Sequence, residues 1–479
     1  MTRTRLSDPD AVVVGSGPNG LAAALALARQ GFKVTVLEAM DEPGGGTRTY
    51  EDPQVPGLFH DHCSAVHPLA IASPFLRTLP LERYGLTWCH PEIPLAHPLD
   101  DQPAAVLHRD LAETLADLDE DAPTWDRLFG HASRHIDALS ESLLGPVLRV
   151  PRHPLVLARQ GPASLLPASL VARAFRTPRG AALFGGVAAH TIGRLDQPLT
   201  TAIALVLGAA GHSYGWPVPQ GGSQAIWRSM VAYLEDLGSE VVTGTHVRDF
   251  SELPRARVAL FDTSPTQLAW ILGQRLPEPA RRRAERWTYG PAAYKLDLAI
   301  RGEVPWADEL ARRAGTLHLG GTFEELAASE AAAVAGELPE RPFMLACQPH
   351  VADPSRGVDG ITPLWTYAHV PHGSTADVAP LMEAQLERFA PGISERIVAR
   401  NVTTPAGFEA ANPNLHGGDI AGGASTVKQL VARPKLAPDP YATTVPGVFL
   451  CSASTAPAPG VHGMNGYHAA RSALRVLTA

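Results

Sequence analysis

The sequence of 479 residues contains little cysteine: only Cys63, Cys89, Cys347 and Cys451, which stand far apart. No CxxC pair occurs, so a zinc knuckle or a redox disulfide of that spacing is excluded. Isolated thiols suit a reducing compartment, and we expect a cytoplasmic protein. The net charge of −8 disfavours nucleic acid as a partner.

Long hydrophobic runs are also missing. The run LAAALALA at 21–28 falls well short of the roughly 20 residues that cross a bilayer. The first ten residues, MTRTRLSDPD, contain no apolar core of the kind found in signal peptides. We therefore expect no membrane-spanning segment, although contact with a membrane surface stays possible.

Acidic residues are absent from residues 142–195, between Glu141 and Asp196. The same segment contains seven arginines, at 149, 152, 159, 173, 176, 179 and 194, with Leu, Val, Ala and Pro between them. One interpretation is a buried pair of helices with paired arginines. The other is a basic, apolar surface that meets lipid as a peripheral contact or admits an apolar substrate.

The first clear fold signal is a βαβ unit. The run AVVVG (11–15) is typical of a buried parallel strand. Residues 19–31 are rich in Ala and Leu and end at Gly31, which predicts a helix. The run KVTVLEA (33–39) predicts the second strand.

Gly15, Gly17 and Gly20 form a GxGxxG motif between the first strand and the helix, and Glu38 ends the second strand. Gly15 allows a tight turn, Gly17 lets the backbone approach a pyrophosphate, and Gly20 lets helix and strand pack closely. The helix amino terminus offers free N–H groups, and Glu38 can accept from ribose hydroxyls. The pattern predicts dinucleotide binding.

A second glycine cluster, Gly44, Gly45 and Gly46, precedes Thr47 and Arg48 directly after the second strand. A nicotinamide dehydrogenase does not need this cluster, whereas an FAD stretched across the sheet does. No second GxGxxG follows a strand, so a separate NAD(P)H domain is not expected, and electrons would pass to oxygen, a quinone or another acceptor.

Further elements follow in the second half of the chain. Residues 224–237 show helical spacing after a candidate N-cap, Ser223. We interpret GTHVRDF (244–250), RVALFDTSP (257–265) and GVFLCSA (447–453) as strands, and a last helix is expected from about Gly466.

The opening stretch DAVVVGSGPNGLAAALALARQGFKVTVLEAMDEPGGGTRT resembles the FAD-binding start of the phytoene-dehydrogenase-like flavoproteins, within the wider amine oxidase and GDP-dissociation-inhibitor-like fold. PGLFHDHCSA, YKLDLAIRGEVPW, NLHGGDIAGG with QLVARP, and GVFLCSASTAPAPGVHGMNGYHAARSAL agree with the same family. Two departures stand in the last segment: Ser452 replaces a glycine, and APAPG replaces HPGG.

The resemblance implies an α/β fold with a discontinuous Rossmann-like FAD-binding domain and an inserted mixed α+β substrate domain. We place the FAD domain at 1–90, 215–290 and 431–479, and the substrate domain at 91–214 and 291–430. The cleft between them is expected to bring substrate and flavin together.

The cofactor residues are predicted segment by segment. The pyrophosphate is expected at Gly15, Gly17, Pro18, Asn19 and Gly20, and the adenosine ribose at Glu38 and Ala39. Gly45, Gly46, Thr47 and Arg48 are expected beside the ribityl chain and phosphate. The resemblance places the Val247 backbone against adenine, although a core valine is an alternative. It also places Ser452, Gly463, Met464 and Asn465 at the far end, where a helix amino terminus would stabilise reduced flavin.

Catalysis requires positioning, desolvation and one base, for which imidazole is suited. His462, in the predicted flavin-contact loop, and His62 are the candidates; structural or surface roles are the alternative for both. No metal is expected, because HDH at 60–62 has no third ligand at a suitable spacing.

These observations favour an FAD-dependent oxidoreductase that desaturates or oxidises a largely apolar small molecule by hydride transfer to flavin N5. A non-redox, flavin-dependent isomerase of a polyene-like substrate is one alternative. A flavin-free carrier or binding protein on the same fold is another.

Overall fold

A computed structural model describes residues 8–457 and 459–479. Residues 1–7, at the start of the predicted FAD domain, lie outside the described residues, and so does Ala458 of the APAPG loop. Two sheets organise the described chain: one has five strands and the other seven.

The strands are β1 Ala11–Val14, β2 Val34–Leu37, β3 Thr49–Glu51, β4 Phe59–Asp61, β5 Trp88–Cys89, β6 Ile93–His97, β7 Ala105–Leu107, β8 Val218–Pro219, β9 Glu240–Val242, β10 Val258–Phe261, β11 Ala292–Arg301, β12 Ala314–Leu319, β13 Met344–Cys347, β14 Ile361–Val370, β15 Ile397–Thr403 and β16 Val448–Leu450.

The helices are α1 Pro18–Ala28, α2 Pro68–Ile71, α3 Leu111–Leu118, α4 Ala122–Trp125, α5 His131–Arg134, α6 Ile136–Leu143, α7 Pro154–Ser164, α8 Ala168–Ala172, α9 Pro178–Ala188, α10 Thr200–Tyr214, α11 Gln224–Asp236, α12 Pro265–Leu272, α13 Glu278–Glu285, α14 Glu309–Arg313, α15 Phe323–Ala335, α16 Pro349–Ala352, α17 Ala379–Phe389, α18 Pro405–Ala411, α19 Val427–Val431 and α20 Met464–Leu477.

The five-stranded sheet is parallel and has the order β16-β10-β1-β2-β9. Its central strand β1 is fully buried, because α1 and α20 cover one face and an apolar cluster around α12 covers the other. Such unbroken burial explains why β1 reads as a continuous apolar run. The glycine turn therefore follows the middle strand of the sheet.

The seven-stranded sheet has the order β15-β11-β14-β13-β12-β6-β7 and is antiparallel except where β12 pairs with β6. One face packs on α17, and the other faces the aromatic cluster that contains Trp125, Trp216 and Trp365. This arrangement confirms the predicted α/β fold, with a Rossmann-like sheet and a mixed second sheet. The exact domain boundaries stay a prediction.

One local prediction is wrong, and another, the N-cap Ser223, is confirmed in its position. The segment GTHVRDF contains no strand, because β9 is an edge strand and the backbone beyond it bonds elsewhere: Thr245 N donates to Glu38 O, and Arg248 N donates to the Glu252 carboxylate. Ser223 lies at the N-cap of α11, but its hydroxyl makes no capping bond, because it donates to Ser64 O instead.

In the structure, part of the arginine-rich segment 142–195 is buried and part is exposed. Its carboxyl-terminal part, including α9, is buried in the aromatic cluster, and there Arg179 pairs with Asp117. Its earlier part, 147–170, is largely exposed. Within the described ranges, no helix has the length and apolar character needed to cross a bilayer. The predicted compartment stays a prediction.

Candidate functional site

The glycine turn after β1 closes against the end of β10. Gly15 has a φ of +96°, a conformation that favours glycine. A Cβ on Gly17 would lie 2.6 Å from the Asp262 carboxylate, and one on Gly20 would lie 2.1 Å from Gly15 O. Larger residues would collide here, so the three glycines keep the backbone of the turn open to a ligand.

The amino terminus of α1 points out of this turn. Gly17 is the N-cap without a capping side chain, and Pro18 takes the first helical position. The Asp262 carboxylate accepts from Gly20 N at 2.8 Å. Burial raises the pKa of Asp262 to about 7, and the charge of Glu38 adds to the shift. The N–H groups of this turn form an anion site. The Asp262 carboxyl group, a weak acid, already accepts from one of them.

Glu38 reaches back from the end of β2 to the same turn. Its carboxylate accepts from Ser16 N at 2.9 Å and from Met40 N at 2.9 Å. Ala39 is exposed beside it. Val247 is buried against Val14 and Leu37 in the cluster below β2, although its segment is not a strand.

The second glycine cluster lies directly on the first. A Cβ on Gly45 would lie 3.1 Å from the Cα of Gly17, and Gly45 has a φ of +54°. A Cβ on Gly44 would overlap the Trp227 ring. Gly46 faces Cys63, whose atoms would lie 3.4 Å from a Cβ. The two clusters thus lie directly against each other and form one continuous line of backbone, here called the trough.

Arg48 follows this cluster after the buried Thr47, whose hydroxyl donates to Gly44 O at 2.7 Å. The guanidinium of Arg48 donates to Gly45 O and Ala411 O, each at 2.9 Å. Among the described residues, no carboxylate lies within ion-pair distance of Arg48. Its positive charge is therefore available to an anionic ligand.

The amino terminus of α20 lies beside that of α1. A Cβ on Gly463 would lie 2.8 Å from the Ala22 Cβ, and one on Gly466 would lie 1.8 Å from Asn19 O. Met464 is buried in the same cluster as α1, and Asn465 Nδ2 donates to Thr455 O at 2.8 Å. Folding therefore brings the predicted far-end residues next to Pro18 and Asn19.

His462 is fully buried at the start of α20. Its Nδ1 accepts from Met464 N at 3.1 Å, and its carbonyl oxygen accepts from the Ser73 hydroxyl at 2.6 Å. These contacts give His462 a capping role in the loop. Ser452 lies two residues beyond the end of β16, where its hydroxyl accepts from Ser454 N at 3.3 Å.

His62 lies on the other side of the second glycine cluster. Its backbone N donates to Arg48 O at 2.8 Å, and its ring contacts Phe408 edge-on. Burial, with help from the charges of Arg48 and Lys295, lowers the pKa of His62 to about 4. The imidazole is therefore neutral at ordinary pH and can accept a proton.

A buried charge network that sequence reasoning missed adjoins His62. Lys295 and Asp297 form an ion pair on β11, and both are almost fully buried. Tyr50 donates its hydroxyl hydrogen to Asp297 at 2.6 Å, and His60 bonds through Nε2 to Asp52 at 2.9 Å. The signal was present in YKLDLAI, where two charged residues alternate with apolar ones in a strand.

An aromatic surface shares the sheet face of that ion pair. Lys295 pairs with Tyr367, and Asp297 pairs with Trp365, across the β11–β14 ladder. Directly opposed residues of an antiparallel pair lie on the same face. Trp365 Nε1 donates to Cys63 O at 2.6 Å, so this face reaches the chain next to His62.

Asp61 anchors the chain between these groups. It accepts from Ser223 N at 2.7 Å and pairs with Arg356 at 3.0 Å. Burial favours a higher pKa, but Arg356 and the hydrogen bonds outweigh it and hold the pKa of Asp61 below its usual value. Its role is structural, because it accepts from a backbone N–H at the start of α11 and its ion pair with Arg356 holds β4 in place.

Three further residues at the trough were missed. Asp262 ends a strand that the sequence did predict, but nothing local indicated its proximity to the glycine turn. Asn414 Oδ1 accepts from Ser264 N at 2.8 Å, and Asn412 lies about 4.0 Å from a Gly45 Cβ. Both asparagines belong to a loop that only the tertiary fold brings here.

Comparison with known proteins supports the assignment of the glycine clusters to dinucleotide binding. Residues 13–76 match the NAD(P)-binding Rossmann-like domain. The chain is 26% identical to the rat pyridine nucleotide-disulfide oxidoreductase domain-containing protein 2, over 98% of this chain and 94% of the relative. It is 25% identical to the hydroxyneurosporene desaturase of Cereibacter sphaeroides, over 98% of both chains.

The chain is related to the phytoene-dehydrogenase-like flavoproteins. This relationship confirms the resemblance and the predicted oxidoreductase class. A putrescine oxidase structure superposes with a TM-score of 0.60 at 15% identity, covering 98% of this chain and 99% of the other, which shows a shared fold. A Rossmann-like fold of the dinucleotide-binding kind is thus established.

The site residues fit a dinucleotide. Beside the two glycine clusters, four buried polar atoms have no hydrogen-bond partner among the described residues: Asn19 Oδ1, Trp227 Nε1, His62 Nε2 and Thr263 Oγ1. Such atoms are normally satisfied by a ligand or water. The ionised form of Asp262 would repel a pyrophosphate at this turn, and its raised pKa reduces that repulsion.

Proposed function

We propose that the protein is an FAD-dependent oxidoreductase that desaturates or oxidises a largely apolar small molecule. The observation that carries the proposal is the continuity of the trough: Gly45 contacts Gly17 on one side, and Gly466 packs on Asn19 on the other. An extended dinucleotide needs backbone approach along such a length, whereas a mononucleotide needs only the first glycine turn.

The residues on this trough divide the binding of FAD among them. Gly15, Gly17 and Gly20 would admit the pyrophosphate, and Glu38 would turn from Ser16 to the ribose hydroxyls. Arg48 would offer its unpaired charge to phosphate or ribityl oxygens. Met464 and Asn465 would bring the positive end of α20 to the flavin ring. When bound, flavin supplies a hydride acceptor at N5.

His62 is the better of the two candidate bases. Its pKa of about 4 keeps it neutral, and its Nε2 has no protein partner. His462 instead uses Nδ1 to hold Met464 N. Lys295 and Asp297 would keep a fixed charge pair next to His62 and orient a proton-carrying group there.

An apolar substrate is supported by the aromatic sheet face next to the ion pair. Trp365 and Tyr367 are buried in a cluster of aliphatic and aromatic side chains beside the Lys295–Asp297 ion pair. Such a surface excludes water and favours apolar ligands. The name of the bacterial relative, a hydroxyneurosporene desaturase, agrees with this substrate class.

The cofactor is tested by the visible spectrum and by mass analysis of the released nucleotide. We expect oxidised flavin absorption and the mass of FAD. Arg48→Gln should lower the flavin content of the purified protein at least about fivefold, because it removes a charge-assisted contact. Arg312→Gln is the matched control, since Arg312 also donates to a backbone oxygen but lies in α14. A colourless wild-type protein would favour the carrier alternative.

The reaction is tested by anaerobic bleaching with a panel of carotenoids, amines and hydroxy compounds. We expect bleaching by an apolar member of the panel, at a rate constant that stays level between about pH 6 and 8, because His62 is neutral there. Product formation without bleaching and without an acceptor would favour the isomerase. Bleaching by polar amines alone would contradict the apolar substrate.

A further inference from the structure

Residues 147–170 carry a concentrated set of exposed apolar side chains, here called the apolar face. Seven of the sixteen large hydrophobic residues that are exposed in the described chain fall in this short range. They are Val147, Leu148, Val150, Leu155, Leu165, Leu166 and Leu170. Val150 is 91% exposed and Leu155 is 84% exposed. Clustered exposure of this kind marks an interaction surface rather than ordinary scatter.

The segment that carries the apolar face contains arginines but no acidic residue. Arg152, Arg159, Arg173 and Arg176 are exposed, and no Asp or Glu occurs from 142 to 195. Arg152 lies 3.5 Å from Glu141. Within residues 8–457 and 459–479, the guanidinium groups of Arg159, Arg173 and Arg176 have no carboxylate within 4.0 Å. The face therefore offers unneutralised positive charge next to apolar side chains.

The apolar face is held firmly to the molecule on its inner side. Val156 of α7 packs against the buried cluster of Ala72, Ile136 and Leu139, and Gln160 Nε2 donates to Leu128 O at 2.7 Å. Leu199 N donates to Leu165 O at 3.2 Å. These contacts fix the backbone of the segment, while the seven apolar side chains stay exposed.

We propose that the apolar face docks on a lipid bilayer with anionic headgroups. Valine and leucine side chains would enter the boundary between headgroups and acyl chains, while the surrounding arginines would contact lipid phosphates. A second copy of this chain fits less well, because two such faces would bring the unpaired arginines of both together. The proposal does not depend on the cofactor or the reaction.

The test is vesicle co-sedimentation of the full chain. We expect binding to phosphatidylcholine vesicles that contain phosphatidylglycerol, about tenfold stronger than to phosphatidylcholine alone and weakened by salt. Val150→Glu with Leu155→Glu should weaken binding about tenfold or more. Val334→Glu with Val402→Glu is the control, since these residues are 42% and 46% exposed outside the face and should leave binding unchanged.

Arg159→Gln with Arg173→Gln gives a second variant, which should reduce binding to the anionic vesicles towards the level on phosphatidylcholine alone. Absence of binding to either vesicle, or equal loss in the control pair, overturns the proposal. A dimer in sedimentation velocity that Val150→Glu with Leu155→Glu dissociates, without vesicle binding, also overturns it. Visible absorbance, read in the same samples, reports on the flavin separately.

Discussion

Asp262 helps to form the glycine turn, but its negative charge disfavours an anionic ligand there. Its carboxylate satisfies Gly20 N and closes the glycine turn, yet it lies where a pyrophosphate would add negative charge. Burial and Glu38 raise its pKa to about 7. A group whose pKa is raised in the folded state makes ionisation costly, so stability falls as pH rises from its usual value of 3.8 towards 7.

We predict that Asp262→Asn stabilises the protein at pH 8 by about 2 kcal/mol, because the amide keeps an acceptor for Gly20 N without the buried charge. The gain should shrink at pH 5.5, where the folded carboxyl is already protonated. Urea midpoints at the two pH values measure this difference. A gain that is equal at both values, or a loss at pH 8, would contradict the assignment.

At the scale of elements, the contact between α1 and α20 joins the two ends of the trough. The contact is close because Gly466 has no side chain: a Cβ there would lie 1.8 Å from Asn19 O and 2.8 Å from Ala23 N. Both are backbone atoms, so no side-chain rotation could relieve the overlap. The spacing of the two helices therefore depends on one glycine.

Gly466→Ala should destabilise the protein by about 3 kcal/mol and lower its flavin content, because α20 must move away from α1. Gly407→Ala is matched, since Gly407 is also the third residue of a helix and a Cβ there meets only ordinary contacts at 3.4 Å or more. That change should be neutral or slightly stabilising. Melting temperatures and flavin absorbance measure the two effects. An unchanged melting temperature in Gly466→Ala would contradict the packing argument.

At the scale of the whole molecule, buried histidines are unusually numerous. Burial lowers the pKa of His67, His97, His212 and His468 to about 4, as it does for His62, and that of His190 to about 3. A histidine with a lowered pKa stays neutral in the fold but takes up a proton when the chain unfolds. Stability is therefore lost as pH falls from about 6.5 towards 4.

We predict a steep loss of stability on mild acidification. Each of these histidines contributes about 1.4 kcal/mol per pH unit in this window, and protonation of Asp262 offsets one of them. The melting temperature should fall by about 5 °C or more between pH 7.5 and 5.5. Asp52 and Asp61 have lowered pKa values, so their protonation affects stability only below about pH 4. A flat profile would show that the histidines are hydrated in solution.

The sequence by itself determined the βαβ unit, the two glycine clusters and the family resemblance. These features follow from local rules: a buried parallel strand is continuously apolar, and a close backbone approach requires glycine at fixed positions. The helix containing Ile226 and Met230 was predicted for the same reason, since its spacing is set by its own buried face.

Only the tertiary structure decided which distant residues share the trough. Asp262 and Asn414 reach it because parallel strands end at one edge of a sheet and a loop from the rest of the chain closes over that edge. The strand expected at GTHVRDF is absent because β2, the strand beside it, ends at Leu37, and the backbone of GTHVRDF bonds to the turn after β2 through Gly244 N and Thr245 N. Propensity and spacing act along the chain, whereas pairing, burial and charge depend on partners that folding supplies.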